Sequence, residues 1–580
     1  MFKRIILITV FGVLTGVVAS LASVLFIKVI EIGNELLWIT AEHRQQASAQ
    51  PWFVWAAILV PTLGGLAVGL LCMTNSEKRP LTLADTIQSA QTLKSIAPLK
   101  SGLTTALASM VAISCGASVG QYGPLAHLGA TLGAWISRIT RRAATMNMTA
   151  TMGIGCGAAA AIATAFNAPI AGLLFAHEVI LRHYSLRSFA PITVSAATGY
   201  VFANYVFHQP PLFDIEILQP IGAAEFLVFI VIGVAGAYLA SLFMRAVLVA
   251  KSLADNINVP QYFKPALAGA ALGIVAIWLP EVLGIGESVL RDAVSGAVYS
   301  PAEMAIILIA KLILTALCLG FGFAGGIFSP ALIIGILFGA LIGALVDMGA
   351  PHFFGDSHSV IAVYAICGMV AVTGPVIGAP MTAILIVFEL TRNYDLTIAA
   401  MVSVGFANLV GYRLIGRSIF DVQLKQMGFD LSMGRDKAVM DSRDISDYLT
   451  EDFVSVRADV SLSELRSRLI EDGKSEGYVL DENNRYIGTV SLIQLMALLN
   501  NEASLNEQCA KHALVEQVVL TPDTSIWSAM EKVQDFVGES IPVIANDSSG
   551  IMLGVVYEAT IVKAYMDTLH HIRREEHGAD

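Results

Sequence analysis

Long apolar segments separated by short polar connections fill the first three quarters of the chain. Ile5 to Ile30 carries hardly a charge, which is too long for the core of a signal peptide and predicts a retained membrane helix. Lys3 and Arg4 precede this helix, so the positive-inside tendency places the N-terminus in the cytoplasm. Further apolar segments are expected at about 52–73, 102–118, 123–138, 148–165, 168–182, 189–207, 222–250, 263–284, 303–322, 328–348, 357–374, 379–391 and 396–415.

Several of these segments are too short to cross a bilayer as straight helices. A spanning helix needs roughly 20 residues, whereas some segments have only about 13 to 16 and are interrupted by glycine and proline. Such pieces predict half-helices or tilted helices that meet inside the membrane. Irregular backbone at that depth is tolerated where it lines an enclosed or wet cavity.

The pattern changes after about residue 425, where more than half of the acidic residues are found. Val454 to Leu480 and Val515 to Val543 alternate in a way that predicts short strands and amphipathic helices. We therefore expect a membrane domain at 1–425, and a folded, acidic α/β domain at 426–580 rather than a solvated spacer.

The membrane half contains an internal repeat. The sequence Cys-Gly … Asn-Ala-Pro … Leu … Glu at 156–178 recurs as Cys-Gly … Gly-Ala-Pro … Leu … Glu at 367–389, every pair at one constant offset. A second alignment matches Gly-Pro-Leu … Gly at 123–129 with Ser-Pro-Ala … Gly at 329–335, at a slightly smaller offset. The domain is therefore a duplicated unit, about 1–210 and 211–425. The identities leave open whether the two units are parallel or inverted, and paired broken helices predict a site where they meet.

Each repeat has a glycine-rich turn followed by proline: Gly-Gln-Tyr-Gly-Pro at 120–124 and Gly-Gly-Ile-Phe-Ser-Pro at 325–330. Proline suits the first turn of a helix, where its missing N–H would have no partner. The glycines let backbone N–H groups converge, and the helix end adds roughly half a positive charge. Two such ends facing each other would bind an anion without a full positive charge, and so release it readily, as conduction requires. Tight packing of small residues is the competing explanation for one such turn.

Composition excludes several function classes. The chain of 580 residues is 55% hydrophobic and 14% charged, whereas a soluble chain has about 25% charged residues. A net charge of −11 without a basic block excludes a nucleic-acid partner. Six cysteines without a CxxC pair indicate no disulfide framework and no cysteine metal site. No nucleophile–base pair, metal-ligand cluster or phosphate loop points to an enzyme.

With these motifs the chain resembles the CLC family of chloride channels and transporters. The turn at 120–124 is similar to the family's Gly-Lys/Arg-Glu-Gly-Pro motif, the turn at 325–330 to its Gly-x-Phe-x-Pro motif, and 167–178 also matches. The tail resembles a pair of CBS motifs, at about 436–500 and 510–570. The resemblance implies a polytopic α-helical membrane protein with two inverted repeats and broken helices, followed by an α/β CBS-pair domain. It also implies a homodimer in the lipid bilayer with a chloride pathway in each subunit.

Carried over residue by residue, the resemblance implies that the backbone amides of Ile327 and Phe328 help to bind chloride, with Gly123 beside the same pathway. In the stretch that corresponds to the family's serine motif, Thr82 is the only hydroxyl. Phe420 stands where the family has an inner tyrosine, so one anion ligand is expected to be lost.

Two departures from the family concern protons. Tyr122 occupies the position of the gating glutamate, and Val179 that of the inner proton-transfer glutamate of the exchangers. A tyrosine has an unperturbed pKa of about 10 and is neutral at neutral pH, so it cannot shuttle protons as a carboxylate does. Tyr122 either donates a hydrogen bond to chloride or plugs the path with its ring. We therefore expect passive chloride transport that is uncoupled from protons.

Two alternatives remain open at the level of sequence. A proton-coupled chloride exchanger could use an atypical path, for instance through His177, which titrates in the right range. A membrane-anchored enzyme or a sensor governed by the CBS domain is the other. Glu178 and Glu389 occupy matching places in the repeats and are expected to accept hydrogen bonds from helix ends.

In CBS pairs, a serine or threonine followed by an acid can hold the ribose of an adenine nucleotide. Ser491 fits this pattern, but Gln494 replaces the acid in the first motif and Tyr557 departs from the pattern in the second. We expect a dimerisation or regulatory module and no cofactor, with adenine nucleotide as the open alternative. The compact loops suggest a bacterial inner membrane with the CBS domain in the cytoplasm.

Overall fold

The chain divides into two units, Met1–Gly428 and Phe429–Asp580. The computed structural model describes residues 2–37, 51–92, 98–142, 150–184, 186–209, 221–295, 299–349, 360–498, 506–514, 518–534, 536–546 and 549–577. The first unit is helical throughout its described part. Its first eight helices are α1 (Phe2–Leu36), α2 (Pro51–Cys72), α3 (Leu83–Gln91), α4 (Leu99–Ser114), α5 (Tyr122–Arg142), α6 (Ala150–Phe166), α7 (Pro169–Phe175) and α8 (Leu186–Val201).

The second half of this unit repeats the alternation of long and short helices. It comprises α9 (Glu225–Asn256), α10 (Lys264–Ala276), α11 (Glu287–Ser295), α12 (Pro301–Gly320), α13 (Phe328–Gly349), α14 (Ile361–Ile377), α15 (Pro380–Thr391), α16 (Tyr394–Leu414) and α17 (Ile419–Gln426).

Helix lengths agree with the expected mixture of full and partial crossings. Within the described ranges, six helical segments are long and apolar enough to cross a membrane: Ile6–Leu36, Val54–Cys72, Glu225–Asn256, Pro301–Gly320, Phe328–Met348 and Tyr394–Gln426. The shorter apolar helices are Leu99–Ser114, Ala150–Phe166, Pro169–Leu181, Ile361–Ile377 and Pro380–Thr391. The last two pairs are the segments in which the sequence repeat is strongest.

One expected segment differs from the structure. The apolar run at 263–284 predicts a single element, but α10 ends at Ala276 and a short 3₁₀ turn follows at Pro280–Val282. Pro280 cannot continue the helix, because proline has no backbone N–H and disfavours helical conformation in the residue before it.

Glycines bring the central helices of each repeat into backbone contact. A Cβ on Gly157 of α6 would lie 1.9 Å from the carbonyl oxygen of Gly129 on α5, so neither position tolerates a side chain. The second repeat has the same contact, since a Cβ on Gly368 of α14 would lie 2.4 Å from the carbonyl oxygen of Gly335 on α13. Small residues permit this close helix packing inside a membrane.

A π-helical turn distinguishes the first repeat from the second. Asn167 and Gly378 have positive φ angles of 55° and 73° at equivalent places, where α6 and α14 end. Helix α7 then continues as a π-helical turn over Ala176–Leu181, which α15 lacks. The left-handed residues that end these helices, Arg182 and Arg392, are one residue closer together than the repeat offset. The π turn accommodates that one additional residue.

The second unit contains two small sheets of similar design. In the first, β1 (Val454–Arg457) pairs parallel with β2 (Glu476–Leu480), which pairs antiparallel with β3 (Tyr486–Ser491). In the second, β4 (Ser540–Ile544) pairs antiparallel with β5 (Met552–Tyr557), and Leu520 forms a parallel bridge to Val543. The helices are α18 (Arg435–Asp441), α19 (Leu462–Asp472), α20 (Leu492–Leu498), α21 (Ile526–Val533) and α22 (Glu558–His577).

Each sheet has its own apolar core. Leu465 and Leu469 of α19 pack on the first sheet, and Ala529 and Val533 of α21 pack on the second. This arrangement agrees with the strand and helix alternation that the sequence predicts, while residues 515–517 and 535 of the second segment lie outside the described residues.

Candidate functional site

The two glycine-rich turns meet at the centre of the membrane unit. Gly120 and Gly326 exchange N–H to carbonyl hydrogen bonds of 2.7 Å in both directions, as an antiparallel bridge. A Cβ on Gly326 would lie 2.9 Å from the backbone nitrogen of Gly123, and one on Gly120 would lie 2.8 Å from the carbonyl oxygen of Gly326. The bridge therefore depends on glycine in both repeats.

Helices α5 and α13 begin at this bridge, with Pro124 and Pro330 in their first turns. The first amides of a helix have no partner within it and carry the positive end of the helix dipole. A cavity of about 110 Å³ adjoins these amides. This volume exceeds the roughly 10–15 Å³ that a single water requires.

Five of the six residues expected in the anion pathway line this cavity, and Tyr122 is not among its described lining residues. Gly123, Ile327, Phe328, Thr82 and Phe420 all contribute to its wall. None of the described residues that line it is an aspartate, glutamate or histidine. The cavity therefore offers backbone amides and a mostly apolar wall to an anion, with no carboxylate or imidazole among its described lining residues.

The hydroxyl of Thr82 is already engaged. Its Oγ1 donates to Oδ2 of Asp85 over 3.0 Å, and its backbone N–H donates to the same oxygen over 2.6 Å. Arg79 holds Asp85 through two hydrogen bonds of 2.7 and 3.0 Å. Thr82 thus begins α3 and lines the cavity, but its proton points to Asp85 in this conformation.

Tyr122 belongs to an aromatic cluster at the edge of the cavity. Its ring stacks on Phe166 with centroids 3.9 Å apart and planes inclined by 30°. Phe328, which lines the cavity, meets Tyr122 edge-on at 5.5 Å and Phe166 at 5.4 Å. Tyr122 is only 3% exposed. The ring is therefore packed beside Phe328 of the cavity wall, and whether Tyr122 donates to chloride or plugs the path stays a prediction.

The inner proton position lies in the π-helical turn. Val179 is 1% exposed and lines a second cavity, of about 370 Å³. His177 lies on the same turn between the rings of Tyr184 and Phe189, at centroid distances of 5.5 and 5.9 Å. Its Nδ1 lies 3.1 Å from the carbonyl oxygen of His183. The imidazole is thus packed against aromatic rings while it also lines the same cavity as Val179.

Glu178 and Glu389 cap helices of the opposite repeat. The carboxylate of Glu178 accepts from the N–H groups of Met381 and Thr382 at the start of α15, over 3.0 and 2.8 Å. Glu389 accepts from Ile170 and Ala171 at the start of α7, over 2.9 and 2.7 Å. The expected structural role of both carboxylates is confirmed. Each repeat therefore supplies the carboxylate that caps a short helix of the other repeat.

The residues considered for nucleotide binding in the second unit have hydrogen-bond partners within that unit. Ser491 donates its N–H to Oε1 of Gln494 over 2.8 Å, while Gln494 donates its N–H to Oγ of Ser491 over 3.3 Å. The hydroxyl of Tyr557 lies 2.8 Å from Nζ of Lys474, which also pairs with Asp452 at 2.7 Å. Asp452 and Tyr557 raise the pKa of Lys474 above its usual value by these hydrogen bonds.

The cavity wall also contains a charged residue that was not predicted from the sequence. Lys251, near the end of α9, lines the 110 Å³ cavity. A lysine close behind a long apolar run is the available signal, since cations near membrane segments often extend toward water. The sequence alone does not show that Lys251 lies near the glycine-rich turn of the second repeat.

Comparisons with known proteins agree with this architecture. The family model described as "Voltage gated chloride channel" matches residues 64–412, and the one described as "CBS domain" matches 445–501. A "Putative chloride channel protein ClcB-like" of Ralstonia nicotianae (strain ATCC BAA-1114 / GMI1000) is 30% identical over 399 residues, 67% of this chain and 90% of that one. A "Voltage-gated ClC-type chloride channel ClcB" of Shigella flexneri is 26% identical over 432 residues, 72% of this chain and 98% of that one.

Solved structures share the fold. A slow cyanobacterial Cl⁻/H⁺ antiporter has a TM-score of 0.64 at 20% identity, covering 73% of this chain and 98% of its own. A CLC-type fluoride/proton antiporter has a TM-score of 0.61 at 18% identity, covering 73% and 99%. A eukaryotic CLC transporter has a TM-score of 0.61 at 19% identity and covers 97% of this chain and 99% of its own.

Proposed function

The chain belongs to the voltage-gated chloride channel (CLC) family, and from this premise we propose that it transports chloride passively, uncoupled from protons. It is an integral membrane protein with the CLC fold and a C-terminal CBS domain. The family model is described as a chloride channel, so the finer part of the proposal is the absence of proton coupling.

The composition of the cavity wall carries the proposal. Chloride would be held by the amides at the start of α13, at Ile327 and Phe328, and by the positive ends of two helices. Among the described wall residues, none exchanges a proton near neutral pH as a carboxylate or imidazole does. Passage of the anion would then require no protonation step.

Two side chains support the same conclusion. The Tyr122 ring is stacked on Phe166 where the family has a mobile carboxylate. Val179 places an aliphatic group at the position where the exchangers receive protons from the inner side. Neither Tyr122 nor Val179 is a carboxylate, so these two positions would not pass a proton from one to the other near neutral pH.

His177 is the residue on which an atypical proton path would depend. It is fully buried, lies between two aromatic rings and is aligned by the carbonyl oxygen of His183. These contacts favour a packing role for the imidazole rather than proton transfer. A proton-coupled exchanger is therefore the second candidate function. We also propose a homodimer in a bacterial inner membrane, with both the N-terminus and the CBS domain in the cytoplasm.

The test follows chloride and protons together. Purified protein in liposomes loaded with chloride is triggered with a potassium ionophore, while a chloride electrode and a pH electrode record the outside solution. We expect chloride efflux without proportional proton uptake. Proton uptake at a fixed ratio to chloride would contradict the proposal. Comparison of His177→Ala with the matched variant His183→Ala would then show whether His177 carries the proton.

A further inference from the structure

Helix α17 borders two cavities of the membrane unit. Its residues Phe420, Gln423 and Gln426 line the cavity of about 110 Å³, which we call the chloride cavity. Asp421 lines the cavity of about 370 Å³ that also contains Val179. Successive residues of a helix point about 100° apart, so Phe420 and Asp421 face different sides of the same first turn. A contact that holds Asp421 in one cavity therefore also fixes the ring of Phe420 in the other.

That contact is an ion pair between Asp421 and Arg182, a residue of the first repeat. The guanidinium of Arg182 donates one hydrogen bond to each carboxylate oxygen, and the longer of the two spans 3.3 Å. The side chains of Arg182 and Asp421 are 13% and 23% exposed, so salt screens this pair less than a surface pair. Two parallel hydrogen bonds fix direction as well as distance. The pair therefore restricts both the rotation and the position of the first turn of α17.

Both partners of the ion pair are tied to neighbouring backbone. Arg182 has a φ of 56° where the π-helical turn ends, and its Nε donates to the carbonyl oxygen of Val179 over 3.4 Å. Asp421 donates its N–H to Oγ of Ser418, the N-cap of α17, over 3.2 Å, and its carboxylate accepts from the same hydroxyl. A Cβ on Gly378 would lie 2.8 Å from Cβ of Ser418, so the end of α14 abuts this cap. The pair thus connects the π-helical turn to the start of α17.

The second repeat offers an internal comparison. Arg392 occupies the equivalent place after α15, with a left-handed φ of 50°. It is exposed, and it forms no ion pair with any residue that the structure describes. An arginine at this place therefore ends a short helix without an ionic partner. In the first repeat the partner is present, and it lies on the helix that carries Phe420.

We propose that Arg182 and Asp421 are positioning residues for anion selectivity, which hold the ring of Phe420 in the wall of the chloride cavity. Because this cavity is small, the position of one aromatic ring in its wall sets which anions fit. Without the pair, the first turn of α17 shifts and larger polyatomic anions enter more readily relative to chloride. The role in selectivity rests on the proposed function, whereas the anchoring of α17 does not.

Hydrogen exchange of the full-length protein in detergent tests the anchoring without transport. Exchange of the backbone amides at 421–424 is followed in Arg182→Gln, which removes the ionic contact, and in Asp421→Asn, which weakens it. We expect exchange to become about tenfold faster or more in Arg182→Gln, because the first turn then opens more often. The matched control Arg392→Gln should exchange at the wild-type rate. Wild-type exchange in both variants, or equal acceleration in the control, would overturn the proposal.

Anion selectivity tests the effect on Phe420. Liposomes loaded with chloride or with thiocyanate are triggered with a potassium ionophore, and selective electrodes record the efflux of each anion. We expect the thiocyanate-to-chloride ratio to rise about threefold or more in Arg182→Gln and in Phe420→Ala. In the Phe420→Ala background, Arg182→Gln should change the ratio less than about twofold, because both substitutions act through one ring. An unchanged ratio in Arg182→Gln, or a full additional effect in the double variant, would contradict the positioning role.

The outcomes separate this proposal from the proposed function. If chloride movement is coupled to protons, the proposed function fails, while the selectivity ratios are measured and judged in the same way. If the wild-type protein carries neither anion, the proposed function and the selectivity role both fail, and hydrogen exchange decides whether the ion pair anchors α17. Should Arg182→Gln not fold, Asp421→Asn keeps the shape of the side chain and becomes the deciding variant.

Discussion

The rings of Tyr122 and Phe166 lie 3.9 Å apart, centroid to centroid, where the helix of one glycine-rich turn begins and helix α6 ends. Phe328, from the turn of the other repeat, completes the contact edge-on. An aromatic pair of this kind contributes about 0.5–1.5 kcal/mol beyond the area it buries. The stack holds the ring of Tyr122 in place beside Phe328, which lines the cavity.

Substitutions at Tyr122 separate the ring from the hydroxyl. Tyr122→Ala removes the ring and is expected to raise chloride flux several-fold in liposomes, because nothing of comparable size then fills that volume. Tyr122→Phe keeps the ring and is expected to stay within about twofold of wild type, given the small difference in packing volume. Loss of flux in Tyr122→Phe with flux retained in Tyr122→Ala would show instead that the hydroxyl coordinates the anion.

Glu178 and Glu389 are expected to contribute to the thermal stability of the folded protein. Each accepts hydrogen bonds from two helix amides of the opposite repeat. Hydrogen bonds to a charged group contribute about 1.5–3 kcal/mol, so Glu178→Gln and Glu389→Gln should each lower the melting temperature of the detergent-purified protein. The exposed Glu287→Gln is the control and should have little effect. Unchanged melting in both variants would rule out the capping role.

The bridge between the turns gives a prediction for glycine. In Gly326→Ala the new Cβ would lie 2.9 and 3.0 Å from backbone atoms of Gly123, so the amides of both turns must move. We expect chloride flux to fall about tenfold or more, equivalent to about 1.4 kcal/mol in the barrier. Gly405→Ala, on α16 with open space around its Cβ, is the matched control and should retain flux. A Gly326→Ala protein that folds and transports like wild type would disprove the geometry.

The CBS domain is expected to be insensitive to adenine nucleotides. Ser491 and Gln494 satisfy one another, and Tyr557 is held by Lys474. A ligand present at 100 times its Kd stabilises the folded state by about 2.7 kcal/mol. We therefore expect AMP, ADP and ATP at millimolar concentration to leave the melting temperature of the CBS domain in the full-length protein unchanged. A rise of several degrees with one of them would establish the open alternative.

Much of the membrane fold follows from local signals in the sequence. The constant offset between 156–178 and 367–389 predicts the matched helix pairs, and the proline after each glycine-rich turn predicts where α5 and α13 begin. These features are local, because proline and glycine restrict the backbone at their own positions.

The contacts within the site depend on tertiary structure. Sequence leaves the role of Tyr122 open, since only the fold brings Phe166 and Phe328 to its ring. Thr82 is the hydroxyl candidate for an anion ligand in its stretch, but its Oγ1 donates a hydrogen bond to the carboxylate of Asp85 in the first turn of α3. Likewise, the convergence of Lys251 and Lys264 on one cavity depends on where α9 ends and where α10 begins in space.

The reversal potential under opposed gradients tests the absence of proton coupling most directly. Purified protein in a planar bilayer is given a tenfold chloride gradient in one direction and a proton gradient in the other, and the voltage of zero current is recorded. Passive chloride transport predicts reversal at the chloride equilibrium potential, with no shift when the pH of either side is changed. A reversal potential that moves with the proton gradient by a fixed fraction would contradict it and show that the protein exchanges chloride for protons.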